Sequence, residues 1–472
     1  MKNKTKIIAT IGPASQDRTT LAELLRAGMN GARLNFSHGN HAEQAEKIQL
    51  IKETSATLQI PVAIILDTKG PEIRTGKFEG GKVSLTKGET FTLTTKEQLG
   101  NQKGCSVSYE GIITDVRRGD TILIDDGLIA LTIKDIKPNE IMTEIENDGE
   151  LSDHKSINLP GTHVNLPSLT EDDKKDILFG ITHDIDYVAA SFTRTAEDVL
   201  RLRAFLDNHE GKEIRIISKI ENKEGVNNID EIIEISDAVM IARGDLGVEI
   251  PQEQVPILQK EIIKKCNRKG RLVITATQML DSMIRNPRPT RAEVADVANA
   301  IFDGTDCVML SGETATGEYP VNAVQMMASV AAAAEGDIDY PKRGRAIREA
   351  MDDTITKAVG FSACSAAESL CARAILTPTT SGYTAAVMAS FRPDAPIAAY
   401  ATTERVMRRM TLYWGVQPYY HVFTDDAEGF FQDTIGDVLA KGSVESGDYV
   451  ILVAGHPFGI GGTTNMMRVQ KV

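Results

Sequence analysis

Short apolar runs rich in Ile, Val and Ala alternate with amphipathic stretches along much of the chain. Each run has the length and composition of a strand buried on both faces. Most are separated by segments with a period near 3.6, and two of these, 17–28 and 255–270, end on a glycine suited to a helix C-cap. The pattern predicts eight β-then-α units, with strands at 5–12, 31–36, 62–68, 187–192, 215–221, 238–245, 272–278 and 307–313.

The number of units decides between two α/β architectures. Eight parallel strands close a (β/α)8 TIM barrel, whereas an open doubly wound sheet usually has about five or six. The barrel is therefore favoured over the open sheet, and it should comprise residues 1–70 and 168–340 as the catalytic domain.

Residues 71–167, between the third and fourth units, have a different texture. Apolar and polar residues alternate there, with turns about every ten positions, which predicts an inserted all-β domain. An insertion after a barrel strand emerges at the rim where such barrels keep their active sites, so this domain is expected to act as a lid. Asp125 and Asp126 are expected in a solvated turn of this domain.

A fresh α/β alternation begins after residue 340. An Ala-rich helical stretch at 354–374 is followed by further strand and helix patterns to the end of the chain. We expect residues 341–472 to form a third, α/β domain.

Composition and charge narrow the class of protein. With 472 residues and 51.3 kDa, the chain should form two to four domains. With a net charge of −14 and a pI near 5.2, the protein should repel the negatively charged backbone of nucleic acids. Five scattered cysteines without a CxxC motif indicate neither a disulfide framework nor a zinc site, which fits a reducing cytoplasm. No apolar run suits a signal peptide or a spanning helix, so no membrane association is expected.

Polar side chains stand at the carboxyl ends of the predicted barrel strands. Such ends meet at the catalytic rim of a barrel. The residues expected to converge there are Arg33, Asn35, Ser37, Asp67, Thr68, Lys219, Glu221, Asp245 and Thr277.

Two kinds of chemistry are suggested by these side chains. Glu221 and Asp245 could each give a carboxylate oxygen to Mg²⁺, although each could instead pair with a neighbouring Arg or Lys. Lys219 and Arg33 add positive charge suited to a transferring phosphoryl group.

A second group of strand-end residues carries only oxygen donors. It would suit a monovalent cation, while ordinary turn capping explains the same spacing equally well. Its members are Asn35, Ser37, Asp67 and Thr68.

Seven segments along the chain resemble those of the pyruvate kinase family, in that family's order and spacing. They are 33–38 (RLNFSH), 66–76 (LDTKGPEIRTG), 218–225 (SKIENKEG), 240–249 (MIARGDLGVE), 276–283 (ATQMLDSM), 288–301 (RPTRAEVADVANAI) and 303–320 (DGTDCVMLSGETATGEYP). The resemblance is to bacterial members without an extra C-terminal extension domain. It implies a cytoplasmic homotetramer that uses Mg²⁺ (or Mn²⁺) and K⁺ to transfer a phosphoryl group from phosphoenolpyruvate to ADP, giving pyruvate and ATP in the last step of glycolysis. It also implies activation by a phosphorylated metabolite, with a regulatory, effector-binding role for residues 341–472.

The resemblance also implies roles for individual residues. Lys219 matches the catalytic lysine, Arg33 and Thr277 match catalytic and substrate-binding positions, and Thr277 is near the proton delivered to the enolate. Glu72 matches the acidic position of members that require potassium, where a lysine otherwise stands. The remaining matches are Gly244 and Asp245 for phosphoenolpyruvate, Glu221 and Asp245 for the divalent ion, Asn35, Ser37, Asp67 and Thr68 for potassium, and Asn35, His38, Arg74 and Lys155 for the nucleotide.

A turn in the last domain is the candidate effector site. Hydroxyl groups and a glycine lie there between a strand and a helix start, where backbone N–H groups favour an anion. An inert turn with routine capping is the alternative. The residues are Thr379, Thr380, Ser381, Gly382 and Thr384, and the facing loop 455–465 adds glycines and His456 without Lys or Arg.

Two other functions stay open at this point. One is a Mg²⁺-dependent lyase or aldolase that forms a pyruvate enolate without ADP. The other is a catalytically silent sensor of phosphorylated metabolites, which would have no use for charge aimed at a transition state.

Overall fold

The computed structural model describes residues 3–421, 427–456 and 462–472. Strands and helices are numbered in chain order. The chain opens with three barrel strands and two helices: β1 (Lys6–Thr10), α1 (Arg18–Ala27), β2 (Met29–Asn35), α2 (His41–Leu58) and β3 (Ala63–Asp67). Helix α1 follows the Asp17 cap and ends at Gly28, which has φ of 120°.

An inserted, mostly antiparallel β structure follows β3, as predicted. Its core is a separate hydrophobic cluster that includes Phe91, Leu131 and Ile141. Seven strands form one sheet in the order β4-β12-β8-β9-β10-β6-β7, and β5 pairs with β11. The elements are β4 (Ile73–Arg74), a 3-10 turn (Glu79–Gly81), β5 (Lys82–Leu85), β6 (Thr90–Thr94), β7 (Gly104–Ser106), α3 (Ile112–Asp115), β8 (Thr121–Ile124), β9 (Ile129–Lys137), β10 (Glu140–Ile145), β11 (Gly149–Ser152) and β12 (Ser156–Asn158).

Five further β/α units complete the barrel. Three helices, α4, α5 and α10, begin with capping boxes at Thr170, Thr195 and Thr290. The elements are α4 (Glu171–Thr182), β13 (Tyr187–Ala190), α5 (Ala196–Asn208), β14 (Arg215–Ile220), α6 (Lys223–Asn227), α7 (Ile229–Ile235), β15 (Ala238–Ala242), α8 (Arg243–Glu249), a 3-10 turn (Gln252–Gln254), α9 (Val255–Lys269), β16 (Leu272–Ala276), a 3-10 turn (Asp281–Ile284), α10 (Arg291–Asp303), β17 (Cys307–Leu310), α11 (Gly312–Ala315) and α12 (Pro320–Glu335).

The eight predicted strands close into a parallel barrel in the order β1-β17-β16-β15-β14-β13-β3-β2. This confirms the barrel and rejects the open sheet. Register aligns the strand ends, since Asn35 lies beside Asp67 and Asp67 beside Ala189. One core fills the barrel and a larger one lies between strands and helices.

The last part of the chain is an α/β unit, as expected. Its sheet has the order β20-β19-β18-β21-β22, in which β22 is antiparallel. The elements are α13 (Tyr340–Glu349), α14 (Ile355–Ser369), β18 (Ala374–Thr379), α15 (Tyr383–Ser390), β19 (Ile397–Ala401), α16 (Glu404–Met410), β20 (Val416–Tyr420), α17 (Ala427–Ala440), β21 (Tyr449–Ala454) and β22 (Met466–Lys471).

This C-terminal unit closes the amino end of the barrel. Leu412 belongs to the core inside the barrel, and the Tyr187 hydroxyl donates to the Arg409 carbonyl at 2.8 Å. The buried Arg392–Asp306 pair, at 2.6 Å, joins the same two parts. Across the described ranges, no helix has the length and apolar character needed to cross a membrane.

Candidate active site

One buried carboxylate organises the carboxyl rim of the barrel. Asp67, the last residue of β3, accepts from Arg33 Nε at 2.5 Å and from Lys219 Nζ at 3.0 Å. Burial alone would raise the pKa of Asp67. The positive charges of Arg33 and Lys219 outweigh that effect, so the pKa is lowered. The structure thus brings together three of the residues expected at the rim.

The Lys219 ammonium is held by three oxygen atoms. It donates to Asp67 Oδ1 at 3.0 Å and to Ser191 Oγ at 2.7 Å, and it lies 3.0 Å from Glu221 Oε1. Burial would lower the pKa of Lys219, but the carboxylates of Asp67 and Glu221 raise it above its usual value. Lys219 lies inside β14, one residue before the strand ends, rather than after it.

Glu221 and Asp245 place two carboxylates at the same rim. Glu221 is 2% exposed, and its Oε2 accepts from the Phe192 N–H at 2.6 Å. Asp245 lies in the first turn of α8, and burial together with the charge of Glu221 raises its pKa to about 7. Two hard oxygen donors whose negative charges repel each other suit a divalent cation. No cluster of three or more His, Cys, Asp or Glu suited to a metal occurs in the described part of the chain.

Thr277 and Gly244 meet beside Asp245. The Gly244 N–H donates to Thr277 Oγ1 at 2.8 Å, and that hydroxyl donates to the Ala276 carbonyl at 2.7 Å. Thr277 has φ of 65°, a left-handed conformation that is costly for a β-branched residue, by about 1–3 kcal/mol. Strain of this kind concentrates at functional sites.

Other oxygen-donor residues of the rim, Asn35 and Thr68, form hydrogen bonds to backbone groups. Asn35 Oδ1 accepts from the Ser37 N–H at 3.0 Å, which is the turn-capping arrangement that the spacing also allowed. Thr68 Oγ1 donates to the Ala189 carbonyl at 3.3 Å and accepts from the Ser191 N–H at 3.1 Å. His38 is exposed.

A cleft of about 530 Å³ separates the rim from the inserted sheet, and Arg74, Lys155 and Asp245 all line it. Arg74 is paired with Glu72 at 2.6 Å. Asp125 and Asp126 form the predicted turn, with φ of 56° and 54°. The expectation that both are solvated was wrong for Asp125, because it is 19% exposed and paired with Lys155 at 2.9 Å.

The turn in the C-terminal unit is hydrogen-bonded by its own hydroxyl groups. Thr379 Oγ1 accepts from the Gly382 N–H at 2.8 Å, and Ser381 Oγ accepts from the Tyr383 N–H at 3.4 Å. Gly382 has φ of 87°, which a glycine adopts without strain. Thr384 Oγ1 lies 3.0 Å from Thr464 Oγ1, and Thr380 is exposed. Residues 457–461 of the facing loop lie outside the described residues.

Sequence reasoning missed several contacts of the rim. Ser191 and Phe192 follow β13 and contact Lys219 and Glu221, and Thr10 Oγ1 accepts from Arg33 at 3.1 Å. The rule used for the other strands, a polar residue after an apolar run, would have found Ser191. The left-handed backbone of Phe192, with φ of 54°, has no signal in the sequence.

Comparisons with protein families agree with this geometry. The family model "Pyruvate kinase, barrel domain" matches residues 2–324, and "Pyruvate kinase, alpha/beta domain" matches residues 357–470. The chain belongs to the pyruvate kinase family.

Full-length relatives support the same assignment. A pyruvate kinase of Clostridium acetobutylicum is 48% identical and covers 99% of both chains. One from Geobacillus stearothermophilus is 50% identical over 100% of this chain and 81% of its own. The crystal structure of a pyruvate kinase from Cryptosporidium parvum superposes with a TM-score of 0.94 at 40% identity, over 99% of this chain and 96% of that one. Similarity at this level and coverage makes the protein an enzyme with pyruvate kinase activity.

Proposed function

We propose that the enzyme transfers the phosphoryl group of phosphoenolpyruvate to ADP at the barrel rim, in the last step of glycolysis, with Mg²⁺ (or Mn²⁺) and K⁺ as cofactors. The P–O bond to the enolate breaks, a bond to an ADP oxygen forms, and protonation of the enolate gives pyruvate. The observation that carries the proposal is the buried Lys219 ammonium, held beside Arg33 by oxygens of Asp67, Ser191 and Glu221.

Lys219 and Arg33 are the groups that we expect to neutralise the phosphoryl oxygens. Both are held in place before substrate arrives, since Asp67 accepts from each. Preorganised positive charge in a buried site costs little reorganisation during the reaction. A phosphoryl transition state needs such electrostatic stabilisation more than covalent help.

Glu221 and Asp245 would hold the divalent ion. Their hard oxygen atoms fit Mg²⁺ or Mn²⁺, and so do the burial and the nearby charge of Glu221 that together raise the pKa of Asp245. When bound, the ion would supply further positive charge to the phosphate oxygens.

The monovalent site is proposed from four oxygen-donor residues near β2 and β3. The acidic residue Glu72 is the one that the resemblance associates with a potassium requirement. The proposed ligands are Asn35, Ser37, Asp67 and Thr68.

Substrates would lie between the rim and the inserted sheet. Thr277, Gly244 and Asp245 are proposed to contact phosphoenolpyruvate, with Thr277 near the protonated carbon. Residues 71–167 would act as a lid over a barrel formed by 1–70 and 168–340, excluding water that would hydrolyse the phosphoryl group. The proposed nucleotide contacts are Asn35, His38, Arg74 and Lys155.

Regulation is proposed for residues 341–472. A phosphorylated metabolite would bind the turn of Thr379, Thr380, Ser381, Gly382 and Thr384. We also propose a homotetramer, as the family resemblance implies, which should show about four times the 51.3 kDa chain mass in light scattering. The five cysteines are all unpaired, which supports a reducing cytoplasmic setting.

The direct test is pyruvate formation from phosphoenolpyruvate with and without ADP, in Mg²⁺, comparing K⁺ with Na⁺. Activity that needs ADP and K⁺ supports the proposal. Pyruvate formed without ADP would favour the lyase alternative, and no pyruvate under any condition would favour the sensor.

The effector is tested by adding fructose 1,6-bisphosphate, AMP or ribose 5-phosphate in turn. S381A should weaken activation by the responding compound, while S390A, at the other end of α15, should not. Equal activation of both variants and the wild type would contradict the proposed turn.

A further inference from the structure

Ser191 is a buried hydroxyl at the centre of the rim. It follows β13, and only 5% of it is exposed. Its Oγ lies 2.7 Å from Lys219 Nζ, 2.7 Å from the Thr68 carbonyl oxygen and 3.3 Å from Asp67 Oδ1. It therefore touches both the candidate phosphoryl-binding lysine and the candidate potassium site.

The chemistry of these neighbours fixes the direction of the hydrogen bonds. A carbonyl oxygen can only accept and an ammonium can only donate. The single Ser191 proton must therefore serve the Thr68 carbonyl, which is much closer than Asp67. A lone pair of Ser191 Oγ is left to accept from Lys219.

The three N–H groups of Lys219 match its three oxygen neighbours. Asp67 and Glu221 are charged, whereas Ser191 is neutral. In the proposed function both carboxylates also serve cations, so their negative charge is shared. The Ser191 hydroxyl is neutral, so it has no negative charge to share with a bound cation. Its proton is donated to the backbone carbonyl of Thr68.

We propose that Ser191 is a positioning residue that holds the Lys219 ammonium in the orientation needed for phosphoryl transfer; this rests on the role proposed above for Lys219. Ser191 does not react and need not touch the substrate. It acts by restricting where the charge of Lys219 lies, and displacements of about 1 Å can cost about a hundredfold in rate.

A purely structural role is the competing explanation, because the Ser191 hydroxyl also links the segment after β13 to the segment after β3 by donating to the Thr68 carbonyl at 2.7 Å. Thr193 offers a matched control. It is 2% exposed, lies two residues further on, and its hydroxyl donates to the Ala190 carbonyl at 3.0 Å instead.

The experiment compares S191A and T193A in steady-state kinetics, with melting temperatures measured for both. We expect S191A to lower kcat by about tenfold to a hundredfold, with KM for both substrates within about threefold of wild type. T193A should keep kcat within about twofold. If the kcat of S191A matches that of T193A at similar stability, the proposal is overturned.

A double-mutant cycle with K219Q shows whether Ser191 acts through Lys219. In the K219Q background, S191A should cause little further loss of kcat, since the group it positions is gone. An equal loss in both backgrounds would overturn the proposal. Full turnover in K219Q would overturn the Lys219 role itself, whereas a loss in K219Q with full turnover in S191A would overturn only the role of Ser191.

Discussion

Lys219 Nζ lies 3.0 Å from Asp67 Oδ1, across a strand that separates β14 from β3. Their side chains are 9% and 1% exposed. Asp67 also accepts from Arg33, so one carboxylate balances two cations inside the rim. Without that negative charge, two neighbouring cations would face each other with little solvent to screen them.

Replacing Asp67 by Asn should therefore destabilise the fold. We expect D67N to lose about 3–5 kcal/mol of unfolding free energy, since it leaves buried cations without their shared carboxylate. Urea denaturation at neutral pH measures this. The control E171Q removes an exposed pair with Lys174 and should cost about 1 kcal/mol or less. A urea unfolding midpoint for D67N equal to that of the wild type would contradict this account.

Divalent-ion binding should depend on pH through Asp245. Its pKa is raised to about 7 by burial and by the charge of Glu221, and a proton competes with the metal for the same carboxylate. Lowering the pH below about 7 should weaken Mn²⁺ binding by up to about tenfold per pH unit, and raising it further should change little. Titration of free Mn²⁺ by electron paramagnetic resonance measures the affinity. D245N should flatten this dependence, and a wild-type affinity independent of pH would refute the assignment.

The potassium requirement should depend on the charge at position 72. Glu72 Oε2 accepts from Arg74 Nε at 2.7 Å beside the cleft. E72K puts a fixed positive charge there, so we expect the ratio of activities with and without K⁺ to fall towards one. E79K, on an exposed turn of the inserted sheet, should keep the wild-type ratio. An E72K enzyme that still needs potassium would argue against a role for Glu72.

The C-terminal unit should depend on Arg408 for its attachment to the barrel. Arg408 is paired with Asp186 at 3.0 Å, and Asp186 is fully buried before β13. R408M leaves that carboxyl without its cation and should cost about 3–5 kcal/mol. R405M affects a more exposed pair with Asp184 and should cost about 1 kcal/mol or less. Chemical denaturation measures the loss of unfolding free energy in each variant. Equal losses in R408M and R405M would contradict the role of Arg408.

The sequence was sufficient to predict the barrel strands. Runs such as 62–68 and 272–278 are apolar on both faces, which is typical of strands that are buried on both sides. It also indicated which strand ends carry charge. Arg33, Asp67 and Lys219 were all expected at the rim, and register brings them into contact.

Contacts between distant segments could not be predicted in this way. The pairing of Asp125 with Lys155 depends on how two turns of the inserted sheet meet. The left-handed backbone of Thr277 is imposed by its surroundings against the preference of a β-branched residue. Leu412 inside the barrel depends on the docking of the C-terminal unit.

The most direct test of the central claim, that Lys219 at the rim carries phosphoryl transfer, is ADP-dependent pyruvate formation by K219Q and K223Q. Lys223 is an exposed lysine that lines the same cleft. We predict that K219Q lowers kcat by about a hundredfold to a thousandfold while K223Q stays within about twofold of wild type. Wild-type turnover in folded K219Q, or an equal loss in K223Q, would contradict the account.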